Sequence, residues 1–434
     1  MSTFKKEVPM KKPRDYRKVL EMATAERVLA LEQAVIRIPS SSFGEGQLAD
    51  FLANYMSDIG LDVEMMEVQH PIDTHNKSRQ PIGRLKGSGR GPSLMLNGHM
   101  DPGVEMSGWT VDPYGAKFED GWIWGMGAHD DKGGVVAAIC AVEAIKRSGI
   151  VLRGDILVCP VVAHKYGGAG TRALIKKGVL SDYCINMEHS ANTIANVCVG
   201  IVMIRIRTKT PDLFFRYSPE AKEKYFNAIE QQCEIIRRIG TSLEPLPVGG
   251  WLRFTPHPEL PGFPTLTFDT IHKEHYYHPS YTGMSTRECE MCFQLRTVPG
   301  QSLETVRADV ERLLEGIKAE RPNLQYDLTI PANGGDDPWY MEPTDVPKDH
   351  PLVVALAEGQ RIASKEEPTV GGGLRIGNVG DGNILAALRI PTVQYGPGDI
   401  RIYKEWPTPD ERVKLDDLII AARAVAYAAW RICA

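Results

Sequence analysis

Three apolar runs in the first half of the chain each end on ionisable residues, and this repetition constrains the fold more than any other feature. The first, Leu94-Met95-Leu96-Asn97-Gly98-His99-Met100-Asp101, stops on a His-x-Asp. The second, 154–162, runs into His164-Lys165, and the third, 183–187, into Glu188-His189. Helical patterns over 135–147 and 170–177 separate them. Such alternation predicts an α/β fold with a doubly wound, mainly parallel sheet, whose strands share one crevice at their carboxyl ends, where sheets of this kind bind ligands. An imidazole oriented by a nearby carboxylate is a common corner of a metal site. We therefore read His99 with Asp101 as one corner of a metallohydrolase site. Asp130, in the charged turn Gly127-Ala128-His129-Asp130-Asp131-Lys132-Gly133-Gly134, could supply another. Asp is also a favoured helix N-cap, so Asp130 reads as a ligand only in combination with His99 and Glu188. His129 and His189, beside these residues, read as neighbours of ligands rather than ligands.

The remaining composition narrows the class. A net charge of −5 argues against nucleic acid or an anionic membrane as the main partner. The basic, polar first 17 residues lack an apolar signal core, and no apolar run is long enough to span a membrane, so a cytoplasmic protein is expected. Of the eight cysteines, only Cys289 and Cys292 form a C-x-x-C, in an alternating strand-like segment with no second pair. Buried thiols are expected there rather than zinc or redox chemistry.

Residues 1–20 read as a polar arm, 21–37 and 44–59 as helices, and 62–68 and 82–86 as short strands. After residue 200 the pattern changes. Strand 201–207, helix 219–239, strands 265–272 and 288–296, helix 302–320 and strand 325–330 give a strand–helix–strand–strand–helix–strand order. That order predicts an inserted ferredoxin-like α+β domain. The doubly wound pattern resumes with a helix over 349–364, a glycine-rich stretch 370–382, a helix 383–388, a strand 392–395 and a helix 415–431. The expected division is a catalytic domain of 1–200 and 330–434 and an insert of 201–329.

Several motifs in this order carry a resemblance: Gly98-His99-Met100-Asp101, the 109–113 stretch, Asp120-Gly121, the 127–134 turn, Gly167-Gly168, Glu188, the 295–300 strand end, Gly396-Pro397-Gly398 and Thr408-Pro409-Asp410-Glu411. The chain resembles the M20 family of metallopeptidases and aminoacylases over nearly its whole length. The resemblance implies two zinc ions bridged by an aspartate, a general-base glutamate, and an insert that makes dimers. Carried over by motif, the bridging residue is Asp130, the first ion's other ligands are His99 and Glu188, and Asp101 orients His99. The second ion's own ligands are missing. The family's Glu-Glu pair is here His164-Lys165, and its C-terminal His is here Pro407. The implied cofactor is one divalent ion, Mn²⁺ or Zn²⁺, with His164 as base and the Lys165 ammonium where a second cation would sit.

The expected reaction is hydrolysis of a C–N bond in a small carboxylated substrate. Within the family the altered site suits displacement of an aromatic amino group by water, on a ring such as 5-nitroanthranilate whose carboxylate and nitro groups hold added negative charge. Arg375 and Tyr281, with Tyr276 and Tyr277, could receive it, although the glycine-rich loop before Arg375 also reads as a turn and the tyrosines as packing. An amide-cleaving enzyme with a single ion is the alternative, and a non-catalytic binding protein a third. A homodimer or higher homo-oligomer is expected, with no nucleic-acid or membrane partner.

Overall fold

Alternating side chains along three buried strands decide how the molecule is layered. Leu94, Leu96, Ile156, Val158 and Ile185 face one core, while Met95, Leu157, Cys159 and Cys184 face another. A sheet buried on both faces needs helices on both sides. The computed structural model of the chain describes residues 15–434 apart from 72–74, 104, 211–225, 274–287, 333–339, 373–378 and 405–406. Helices Lys132–Ser148 and Leu415–Cys433 fill the first core, and Ala169–Lys177 contributes Leu174 to the second.

The large sheet has eight strands in the order Asp62–Gln69, Lys77–Leu85, Ile156–Val161, Leu94–His99, Tyr183–Asn186, Thr392–Gln394, Ile194–Ala195 and Val370–Gly371. The four central strands, from Ile156–Val161 to Thr392–Gln394, are parallel. An antiparallel hairpin, Asp62–Gln69 with Lys77–Leu85, closes one edge. The expected α/β architecture is therefore present, and its parallel centre brings the ends at His99, Val161 and Asn186 to one side. The helix Lys132–Ser148 follows the charged turn at once. Its Val, Ala and Ile residues are buried on nearly every face, and Gly149 ends it in the left-handed conformation at φ 71°.

Between 200 and 330 the chain builds a separate four-stranded antiparallel sheet, ordered Thr265–Lys273, Glu288–Thr297, Gly200–Lys209, Tyr326–Thr329. Helices Ala228–Ile239 and Leu303–Glu320 pack on it through Ile235, Val310 and Leu314. Side-chain caps from Asn227 and Ser302 start both helices. This order and direction of strands is ferredoxin-like. Cys289 is buried on its strand, Cys292 is partly exposed, and the cysteines are free thiols.

Two readings need correction. Residues expected as a polar arm include a helix, Asp15–Met22, whose Val19 is fully buried and whose Tyr16 ring lies 5.3 Å from that of Tyr427. The charged residues between those apolar positions concealed the pattern. The helix expected over 383–388 is Asp381–Ala386, because the Asn383 side chain accepts from Gly380 N–H and sets the start two residues earlier. A small sheet of Lys117–Glu119, Trp122–Trp124 and Arg412–Lys414 was not anticipated. No helix among the described residues is long and apolar enough to cross a membrane.

Candidate metal centre

His99 is the last residue of a fully buried strand, so its ring leaves the sheet at the crevice. Its Nδ1 lies 2.9 Å from the main-chain carbonyl of Asp101, which turns Nε2 toward the turn that follows strand Trp122–Trp124. There Nε2 is 2.9 Å from Asp130 Oδ1 and 3.7 Å from Glu188 Oε1. All three atoms are buried, and apart from one another they have no hydrogen-bond partner among the described residues. Buried carboxylate oxygens without donors are costly unless a cation or proton sits between them. The nitrogen-and-carboxylate set therefore fits a divalent metal ion of borderline or hard character.

The Asp101 carboxylate does a different job from the one expected. It lies 3.8 Å from His99 Nδ1, and it accepts instead from the main-chain N–H groups of His164 (3.0 Å) and Lys165 (3.2 Å) and from Ser42 Oγ (2.6 Å). It thus anchors the short 3-10 turn His164–Tyr166, while its backbone carbonyl orients His99. From that turn Lys165 reaches across, and its Nζ donates to Asp130 Oδ2 at 2.9 Å. Burial works against ionisation of Asp130, but Lys165 and His99 outweigh it and hold the carboxyl well below the usual range. Burial likewise opposes the Lys165 charge, and Asp130 and Glu188 overcome it, raising the ammonium above an ordinary lysine.

The turn that carries Asp130 is held from behind by Glu411. Its carboxylate accepts from the N–H groups of Gly127 (2.9 Å), His129 (2.8 Å) and Asp130 (2.9 Å). Burial, with Asp130 nearby, pushes the Glu411 carboxyl up to about 7. Asp131 Oδ2 accepts from His99 N–H at 3.2 Å and so ties the turn to the strand. Gly134 makes the approach possible, since a Cβ there would fall 2.2 Å from both Asp131 Oδ1 and the Met187 carbonyl.

His164 stacks on His99 with ring centres 4.2 Å apart. Its Nδ1 lies 3.0 Å from Asp381 Oδ2, which leaves Nε2 facing the crevice, 3.7 Å from Glu188 Oε1. Burial lowers the affinity of this imidazole for a proton, yet Glu188 and Asp381 together raise it to about 9. His189, next to Glu188, points Nδ1 at the Asp130 and Glu188 carboxylates and packs its ring against His129 at 4.5 Å.

The structure brings together His99, Asp101, Asp130, His164, Lys165 and Glu188, whereas Pro407 is exposed. Arg375, Tyr281, Tyr276 and Tyr277 lie outside the described residues. Sequence reasoning missed Asp381 and the inward reach of His189. A carboxylate opening a helix right after a glycine-rich run was the available signal for Asp381, at a strand-to-helix junction on the crevice side of the sheet.

The model of peptidase family M20/M25/M40 matches residues 95–431. The chain belongs to this family. It is a metal-dependent hydrolase acting on C–N bonds, as its relatives are. The N-formyl-4-amino-5-aminomethyl-2-methylpyrimidine deformylase of Bacillus subtilis (strain 168) is 26% identical over 386 residues, 86% of each chain. Aminopeptidase PepT from Bacillus cereus superposes with a TM-score of 0.70 at 18% identity, over 95% of this chain and 99% of its own. A dinuclear metal binding peptidase of Bacillus subtilis superposes with a TM-score of 0.64 at 16% identity, over 93% and 97% of the two chains.

Proposed function

We propose that this hydrolase works with one divalent ion, Mn²⁺ or Zn²⁺, and replaces the amino group of a small carboxylated aromatic amine, such as 5-nitroanthranilate, by hydroxyl. The observation that carries the reading is the Lys165 Nζ contact with Asp130 Oδ2 at 2.9 Å. An ammonium there supplies the positive charge that a second cation would bring, at a position where it coordinates nothing. His99, Asp130 and Glu188 would hold the remaining ion. When bound, such an ion polarises its ligands and lowers the pKa of water.

The chain's own groups then have distinct tasks. His164, fixed through Nδ1 by Asp381, presents Nε2 to the crevice as the proton acceptor. A divalent charge held beside Glu188 would offset part of the carboxylate field that raises His164 and so weaken its hold on a proton. Water adds to the ring carbon and a C–O bond forms. The C–N bond then breaks, and the proton held at His164 leaves with the amine as ammonia. Lys165 lends fixed positive charge while the ring and its carboxylate carry the added electron pair.

Cleavage of an amide is the second reading, favoured by the deformylase, which matches most of this chain. Incubating the metal-loaded protein with 5-nitroanthranilate, N-acyl amino acids and dipeptides separates the two. Ammonia and hydroxylated ring from the first substrate alone support deamination, while release from the amides alone rules it out.

A further inference from the structure

Resting on the reading of a single ion, we infer that His189 is a fourth protein ligand of that ion. His99 Nε2, Asp130 Oδ1, His189 Nδ1 and the Glu188 carboxylate form a closed ring of donors. Its edges are 2.9 Å from His99 to Asp130, 3.8 Å from Asp130 to His189, 3.7 Å from His189 to Glu188 and 3.7 Å from Glu188 to His99. Ligands about 2.0–2.2 Å from one ion stand roughly 3.0–3.5 Å apart, and each edge of this ring lies within a few tenths of an ångström of that range, Glu188 meeting His99 through Oε1 and His189 through Oε2. Asp130, Glu188 and His189 also converge as a metal-ligand group in their own right.

His164 is the obvious rival for the second nitrogen, because it converges with His99 and Glu188. Its position argues against it. Its ring lies parallel to that of His99, with only 6° between the planes. A nitrogen lone pair lies in the plane of its ring, and two parallel, stacked planes do not meet at one ion. His189 instead comes from the strand end that carries Glu188, and it reaches both carboxylates. Its ring is backed by His129, which in turn meets the edge of Tyr403 at 5.4 Å. Gly398 leaves room for that stack, since a Cβ there would sit 2.8 Å from His129 Nδ1.

Two imidazoles and two carboxylates occupy four positions of a five- or six-coordinate ion. They leave one or two positions for water and substrate, which a catalytic centre requires. The centre thereby keeps a four-residue cage without the family's second-ion ligands.

Counting coordinated imidazole nitrogens by electron spin echo modulation on the Mn²⁺-loaded protein tests the assignment. The parent and His164→Ala should both show two imidazoles, and His189→Ala one. His189→Ala should bind Mn²⁺ at least about 100-fold more weakly, beyond the roughly 10–100-fold cost of losing a group that only supports a ligand. Added imidazole should restore the second nitrogen signal. Thermal unfolding of the metal-free proteins checks that the variants fold. One imidazole in the parent, or two in His189→Ala and one in His164→Ala, overturns the inference while leaving the single-ion centre standing. A parent that binds no Mn²⁺ and no Zn²⁺ removes the centre itself, and His189 with it.

Discussion

The two oxygens of Asp130 face different worlds. On the Oδ1 side stand His99 at 2.9 Å, Glu188 beyond it and His189 at 3.8 Å, all groups able to donate lone pairs to a cation. On the Oδ2 side stands Lys165 at 2.9 Å, a group that is itself a cation and binds no metal. Both sides neutralise a buried carboxylate, one with room for an ion and the other with a covalently tethered charge. The comparison teaches how a buried carboxylate can be neutralised on its two sides by different means. On the proposed single-ion reading, the Lys165 ammonium would supply the charge of a second ion.

The largest effect is expected on the Oδ1 side. His99→Ala and Glu188→Ala should lose metal binding, and turnover should fall to background; near-parental activity in either would remove that residue from the ligand set. Next comes His164, whose Nε2 faces the crevice beside Glu188. His164→Ala should lower kcat by about 10²–10⁴-fold, with metal content unchanged. Asp381→Asn should cost about 10–100-fold and alter the pH profile, because Asp381 Oδ2 lies 3.0 Å from His164 Nδ1 and fixes which nitrogen faces the crevice. A His164→Ala protein that keeps full kcat would leave the site without its base.

On the Oδ2 side, Lys165→Glu should replace the ammonium by a carboxylate beside Asp130 and raise bound metal above one ion per chain, read by elemental analysis. A ratio that stays at one would mean that the Lys165 side is closed by shape rather than by charge.

The smallest effect sharpens the comparison from outside the crevice. Glu32, like Glu188, has a fully buried oxygen with no hydrogen-bond partner among the described residues. Among the described residues it belongs to no group that could hold a metal ion, so a proton satisfies it. Burial, only partly offset by Lys132, raises its pKa from 4.5 to about 8. The folded state therefore holds this proton where the unfolded chain has released it. The stability Glu32 contributes is full below pH 4.5 and is lost as pH rises toward 8, by on the order of 1.4 kcal/mol per unit. Denaturant unfolding between pH 5 and 8 should show this fall in the parent and a flatter profile in Glu32→Gln. Equal slopes would place the Glu32 charge in contact with water.

Much of this was legible in the sequence, because the decisive residues sit at the ends of apolar strands. Strand geometry delivers His99 and Glu188 to one crevice whatever the loops do, and the parallel order follows from the alternating helices. Residues joined only by tertiary approach were not legible. Asp381 meets His164 across 217 positions of chain, and nothing near either residue announces the other. His189 read as a bystander because one-dimensional spacing does not say which way a side chain leaves a strand end. Asp101 lies in the expected place, but a motif could not show that its carbonyl and its carboxylate serve different partners. Asp15–Met22 was hidden by its charged residues until Tyr427 and Trp430, some 400 positions away, supplied its apolar cover.

The metal-to-protein ratio of the freshly purified chain tests the asymmetry of Asp130 most directly. One ion per chain, removable by chelator and restored by Mn²⁺ or Zn²⁺ with return of activity, is the expected result. Two ions per chain, with Lys165 displaced from Asp130, would contradict it.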